Sequence, residues 1–260
     1  MTRVALLWHM HQPYYEDLVT REHVLPWVRL HALKDYWGMA ALLEDFPDVR
    51  VTFNLVPSLL VQVEAFAADR ARDRYLDVGM KPADSVTPDE VRFVLRNFFH
   101  AQRQRMIDVH PRYAELLDLR GRDASDGAVD AAARRFGTAD LRDLQVWQKL
   151  AWVDVFYQQR DARVRALIEK GRHFTEDDKH TLREVELEIL NRVIPAYRRA
   201  LDEERIEVST SPFYHPILPL LCDTDVYAHA QVQRPPRRFA RPDDAREQLR
   251  SEEHTSELQS

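Results

Sequence analysis

The chain has a single cysteine, Cys222, among 260 residues, which excludes an intrachain disulfide and any zinc site built on cysteine pairs. No stretch approaches the ~18 consecutive apolar residues that a membrane-spanning helix needs. Near the first methionine there is no basic segment followed by an apolar stretch and a small-residue cleavage site, so no export signal is read and a reducing, cytoplasmic setting is expected. Excess positive charge is missing too. The formal net charge is −6, which removes the broad electrostatic pull that nucleic acid or an anionic membrane surface would need. One local basic cluster, Arg234-Pro235-Pro236-Arg237-Arg238, is read as a solvated loop. What is present is ample apolar matter: 45% of residues are hydrophobic, enough to bury a core in one large domain or two small ones.

Three short runs, Val4 to His9, Arg50 to Leu55 and Arg205 to Thr210, are rich in β-branched and apolar residues and read as buried parallel strands. A helical pattern from Leu30 to Phe46 joins the first two, making a strand–helix–strand unit whose crossover should be right-handed. Between the second and third strands, residues 58–204 are almost entirely helix-periodic. Thr87-Pro88-Asp89-Glu90 has the form of a capping box with proline at the first helical position. Thr175, followed by three acids, starts a helix expected to run to about Glu204 with a kink at Pro195. Trp147 and Trp152, in "LRDLQVWQKLAWVDVFY", are read as core aromatics of one apolar helix in preference to ligand-stacking rings. Residues 120–130 read as a surface loop.

The chemistry gathers at "VALLWHMHQPYY", residues 4–15. Side chains alternate along a strand, so His9 and His11 point one way while Trp8 and Met10 point the other. Gln12-Pro13 then stops the strand and leads into Tyr14 and Tyr15. Two imidazoles, an amide and two phenols at a strand's C-terminal end fit a polar ligand. The H-x-H spacing also fits a metal-dependent hydrolase of the amidohydrolase kind, which would need further His and Asp ligands from later strands. Sugar recognition needs hydrogen-bonding groups beside flat aromatic faces, and Tyr14, Tyr15 and Trp27 supply those faces, with Arg29, His31 and Asp35 close by in the sequence. Asn54 ends the second strand, and parallel strands bring their C-terminal ends to one rim. Glu207 falls inside the third run; a carboxylate in a buried strand is costly unless it is paired, so a functional role is expected for it. His215 follows in a proline-rich loop over the same rim.

These residues carry a resemblance. "WHMHQPYY" resembles the first signature of glycoside hydrolase family 57, and "IEVSTSPFYHPILPLL" resembles its second, in the form seen in amylopullulanase-like and α-amylase-like members. "LPWVRLHALKDYWGM" and "TFNLVPSLL" are similar to the segments those members carry between the two. The four blocks lie in order within residues 1–249. The resemblance implies an α/β fold, a truncated (β/α)7 TIM-like barrel with a large helical insertion at about residues 58–204. It implies a retaining enzyme of carbohydrate metabolism acting on an α-glucan or maltooligosaccharide; no cofactor is expected, and no metal, since His215, His229 and His254 do not repeat the H-x-H pattern. His9, His11 and Glu207 would line the subsite of cleavage, with Trp27 and His215 nearby, and Gln12 and Asn54 join them as candidate substrate-binding residues. Retaining glycosidases need two carboxyl groups about 5 Å apart, and the family carries these in third and fourth signatures that this chain does not show. No catalytic residue is therefore assigned, and the chain is expected to be inactive by itself. From Arg250 the sequence "RSEEHTSELQS" is identical to one translated frame of a common short-read sequencing adapter. Residues 250–260 are accordingly expected to be read-through forming a disordered polar tail, and Glu252, Glu253 and Glu257 are not taken as catalytic acids. The competing expectations are a metal-dependent enzyme using His9 and His11, and a non-catalytic glucan-binding protein using the Trp147 and Trp152 surface.

Overall fold

The computed structural model describes residues 4–225 and 237–257, with side chains as far as residue 251. Part of the basic cluster, Arg234 to Pro236, lies outside the described residues. The chain divides into two compact units, one formed by residues 1–14, 43–64 and 194–260, the other by residues 15–42 and 65–193.

The first unit holds the sheet. β1 (Leu7–Met10), β2 (Val51–Leu55) and β3 (Ile206–Ser209) lie side by side in that order, all parallel. Their register puts Leu7, Thr52 and Glu207 in one row and His9, Asn54 and Ser209 in the row two residues further on. Alternation then gives the sheet two unlike faces. Val51, Phe53, Leu55, Met10 and Ile206 are buried, as are Tyr197 and Ala200 near the end of the helix Glu176–Asp202. The Tyr197 ring stands edge-on to Phe53 at 5.0 Å, and its hydroxyl lies 3.2 Å from the Met10 sulfur. Arg205 ties the start of β3 down by donating to the Leu43 and Phe46 carbonyls.

Two strand expectations need correction. β1 is buried only at Met10: Leu7 is 63% exposed and Trp8 50%, because β1 is an edge strand with one neighbour and the Tyr197 side chain reaches only its last residue. Glu207 is likewise exposed rather than sunk in a core, since β3 is the other edge and Glu207 points to the open face, where Thr52 Oγ1 lies 3.4 Å from its carboxylate. Near the other end of the chain Pro242 and two acids start the helix Pro242–Glu257 as expected. Where a disordered tail is expected from residue 250, the backbone is helical as far as Glu257; residues 250–257 contain no proline or glycine to stop it.

The second unit is helical, and its local signals act as the sequence predicts. Thr87 and Glu90 form the reciprocal capping box of the helix Pro88–Asn97. Thr175 and Asp178 bond each other's backbone N–H in the same way at the head of the helix Glu176–Asp202. The expected helix of Leu30 to Phe46 begins earlier, as Trp27–His31, and passes through a π-helical turn at Ala32–Tyr36 before Trp37–Ala41. The loop of residues 120–130 is shorter than expected, because the helix Asp126–Ala133 takes its second half. Trp147 sits in the helix Thr138–Leu150, but Trp152 lies in the turn beyond it. The one expected helix is two because Asp154 accepts the Phe156 N–H and caps a new helix, Val155–Arg160. Both tryptophans are core residues, 2% and 7% exposed. Their indole N–H groups donate to the carbonyls of Gly171 at 2.9 Å and His100 at 3.2 Å.

Charge is buried in this unit as well. Arg29 makes a bidentate pair with Asp73, at 2.7 and 3.1 Å. Lys149 donates to both oxygens of Glu186 at 3.0 Å, and Arg183 reaches the same carboxylate at 3.2 Å. Burial pulls the Lys149 ammonium down to about 8, with Glu186 opposing the fall. Arg29 is fully buried, so it is structural and not the sugar ligand that its place in the sequence invites.

Among the described residues, no helix is long and apolar enough to cross a membrane.

Candidate functional site

The C-terminal ends of the strands bring together His9, His11 and His215 in the first unit. Their ring centroids are 5.8 Å apart for His9 and His11, 4.8 Å for His9 and His215, and 4.7 Å for His11 and His215. Strand alternation puts the first two on one side, as the H-x-H spacing requires. His215 arrives from a loop that is tied down at several points. The Phe213 carbonyl accepts the Ser58 N–H, and Gln248 of the last helix accepts the N–H of Phe213 through its carbonyl and of Tyr214 through its side chain. His215 itself has a positive φ of 54° and its N–H bonds the Pro212 carbonyl at 2.7 Å. A non-glycine residue held there stores backbone strain that the surrounding contacts must offset.

Behind the imidazoles stands an amide network. The His9 Nδ1–H donates to Asn54 Oδ1 at 2.7 Å, since an amide oxygen can only accept. Asn54 Nδ2 donates to Ser209 Oγ at 3.1 Å, and Ser211 Oγ donates to Asn54 Oδ1 at 3.1 Å. The two serines fix which way the amide points, and the amide fixes the tautomer of His9, leaving its Nε2 with a lone pair. Burial, and next the His215 and His9 rings, hold the His11 imidazole below the ordinary histidine value. Glu207 shares the face of His9 one row back, about 7 Å along the strands. Beside the cluster Tyr14 meets Tyr214 edge to face at 5.5 Å.

Of the residues that the sequence singles out, His9, His11, Asn54, Glu207 and His215 thus lie on one face or rim of the sheet. Gln12 follows directly, its carbonyl 3.5 Å from Ser58 Oγ. Trp27 belongs to the second unit, where it packs against Trp152 at 6.0 Å, His100 at 6.3 Å and His31 at 6.4 Å. Sequence reasoning missed Ser209, Ser211 and Tyr214. All three sit in the "STSPFYH" block between Glu207 and His215, and their period-2 relation to Glu207 was the available signal for Ser209 and Ser211.

The second unit carries its own polar group around the π-helical turn. Asp35 bonds His31 at 3.2 Å and Lys34 at 2.6 Å. Asp154, nearly inaccessible, has its carboxyl raised to about 6, by burial first and by the Asp35 charge. Gly38 faces that carboxylate, and any Cβ there would collide with it. Because the folded value lies above the ~3.9 of an unfolded aspartate, the native state holds the extra proton between about pH 4 and 6. Stability is therefore lost as pH rises through that window, and the penalty is complete above it. Asp154→Asn keeps the cap and removes the charge. It is expected to raise stability by about 1–2 kcal/mol at pH 8 and by nothing measurable at pH 4; paired urea titrations at the two pH values check this.

Comparison with curated proteins and with solved structures returned no match. The model of one family, Glycosyl hydrolase family 57, matches residues 5–255. That span takes in both histidine-bearing blocks, the three strands and the helical unit between β2 and β3, and on it the chain belongs to glycosyl hydrolase family 57, a family of glycoside hydrolases of carbohydrate metabolism.

Proposed function

We propose that the open face of the sheet is the sugar-gripping part of an α-glucan-active, retaining glycoside hydrolase of the α-amylase or amylopullulanase kind. The single observation that supports the reading most is the convergence of His9, His11 and His215 at the strand ends, backed by Asn54 and on the face that carries Glu207. Imidazole nitrogens hydrogen-bond well to sugar hydroxyls, and the Tyr14 and Tyr214 rings offer apolar faces to a pyranose. In this reading β1 to β3 are the first strands of a (β/α)7 barrel, and the row of Leu7, Thr52 and Glu207 is barrel interior. Gln12, next to His11 in the chain, is a further ligand of the glucan in this reading. The lone cysteine, Cys222, and the absence of net positive charge fit a cytoplasmic enzyme that does not act on nucleic acid. Family membership favours this reading over the metal-dependent amidohydrolase.

Glu207 is the only acidic residue in the three strands, whereas a retaining mechanism takes two carboxyl groups about 5 Å apart. The reading therefore includes binding without turnover by this chain. Titration with maltopentaose, followed by calorimetry, is expected to show saturable binding that His11→Ala weakens at least tenfold, at the ~1.4 kcal/mol per decade of lost hydrogen bonds. Absence of binding in the parent chain would refute the glucan assignment. Steady release of reducing sugar from starch, abolished in Glu207→Gln, would instead refute the absence of turnover.

A further inference from the structure

We infer that His9, His11 and His215 form a binding site for one zinc-class divalent cation. One potential ligand nitrogen or oxygen from each residue defines the cluster, and these atoms all lie within 4.8 Å of one another; among the described residues it is the one group of three or more such side chains. Three nitrogens around a tetrahedral zinc, each bonded at ~2.1 Å, stand about 3.4 Å apart. The cluster is therefore at most about 1.4 Å wider than that spacing.

Three further features fit a cation. His9 already has what metal-bound histidines have, a hydrogen-bonded second nitrogen: Nδ1–H is held by Asn54 Oδ1 at 2.7 Å, so Nε2 presents its lone pair. The acceptor is itself oriented, by Ser209 and Ser211, so the outer layer of the site is built before any ion arrives. His215 is delivered against backbone preference, at φ 54°, in a loop fastened to Ser58 and Gln248; strain of this kind concentrates where a side chain must be held for a ligand. An all-imidazole set selects the class of ion. Zinc, cobalt(II), nickel and copper(II) bind neutral imidazole, whereas magnesium and calcium need oxygen ligands. Three protein ligands leave a fourth position to water. The inference assigns no reaction to the ion, and it does not depend on the identity of any sugar.

The test is calorimetric titration of the tag-free 260-residue chain with zinc chloride at pH 7.5, with magnesium chloride as the control. One equivalent of zinc is expected to bind and no magnesium. His215→Ala, in the loop, and His11→Ala are each expected to weaken zinc at least tenfold, and Asn54→Leu by 10-fold or more through the freed His9 ring, in line with the ~10–100-fold effect of outer-layer partners. His180→Ala, at an exposed helical position of the second unit, should leave the affinity unchanged. Circular dichroism of each variant shows that it is folded, and cobalt(II), whose visible bands intensify in tetrahedral sites, gives a second readout in the parent chain. Failure of the parent chain to bind zinc overturns the inference, and so does unchanged affinity in both His215→Ala and His11→Ala. Zinc is titrated without sugar, so its failure leaves the glucan reading intact, and failed maltopentaose binding leaves the cation site intact.

Discussion

Glu186→Gln is expected to lower the stability of the chain by about 3–5 kcal/mol, the cost of removing one partner from a buried ion pair. The carboxylate is fully buried and accepts two hydrogen bonds from Lys149 and one from Arg183, with Arg29 at 3.8 Å. Glutamine preserves the shape and keeps an acceptor. What it removes is the negative charge, leaving cations in a region where water cannot reach them. At the ~2–4 °C per kcal/mol typical of a chain this long, the melting temperature should fall by roughly 10 °C or more. Adding Lys149→Met removes one stranded cation and should recover a substantial part of the loss, since apolar replacement of a buried pair is often close to neutral. Thermal unfolding of the parent, single and double variants decides the matter. A single variant within 2 °C of the parent (roughly 1 kcal/mol or less) would mean that Glu186 is not the counter-ion of Lys149.

The second large effect is expected at Trp147. Truncation to alanine should cost about 3–5 kcal/mol, the range for a buried large aromatic. The side chain is 2% exposed, stacks on His110 with a centroid distance of 4.5 Å, and donates to the Gly171 carbonyl. Trp147→Phe keeps most of the apolar volume and loses that hydrogen bond, for about 1–3 kcal/mol. The phenylalanine variant also separates two roles. If Trp147 were a glucan platform, maltopentaose affinity would fall in Trp147→Phe while stability held. As a core residue it should show the reverse, lower stability in urea titration with affinity unchanged.

The convergence of His9 and His11 was legible because it rests on a local rule: a strand turns every second side chain to the same face. Asn54 was legible for a related reason, since parallel strands share a rim. The caps at Thr87 and Thr175 and the start at Pro242 were legible because each is decided within one turn of helix. Glu207 shows where such rules stop. Its position on β3 follows from its own sequence, but its exposure depends on whether another layer covers that edge of the sheet, which no short stretch records. The same holds for Leu7 and Trp8, apolar residues on an edge strand with one neighbour.

The sequence by itself determined the strands and most helices, the pairing of His9 with His11, the core role of Trp147 and Trp152, and the family. All of these depend on periodicity, on residue chemistry, or on blocks of contiguous residues. Only the tertiary structure decided how closely the His215 ring meets those of His9 and His11, that Ser209 and Ser211 orient Asn54, and that Arg29 is consumed by Asp73. Those outcomes join residues 44 to more than 200 positions apart in the chain. A contact of that kind is set by how the strands register and where a loop is fastened, and the chain closes it only when the sheet has formed.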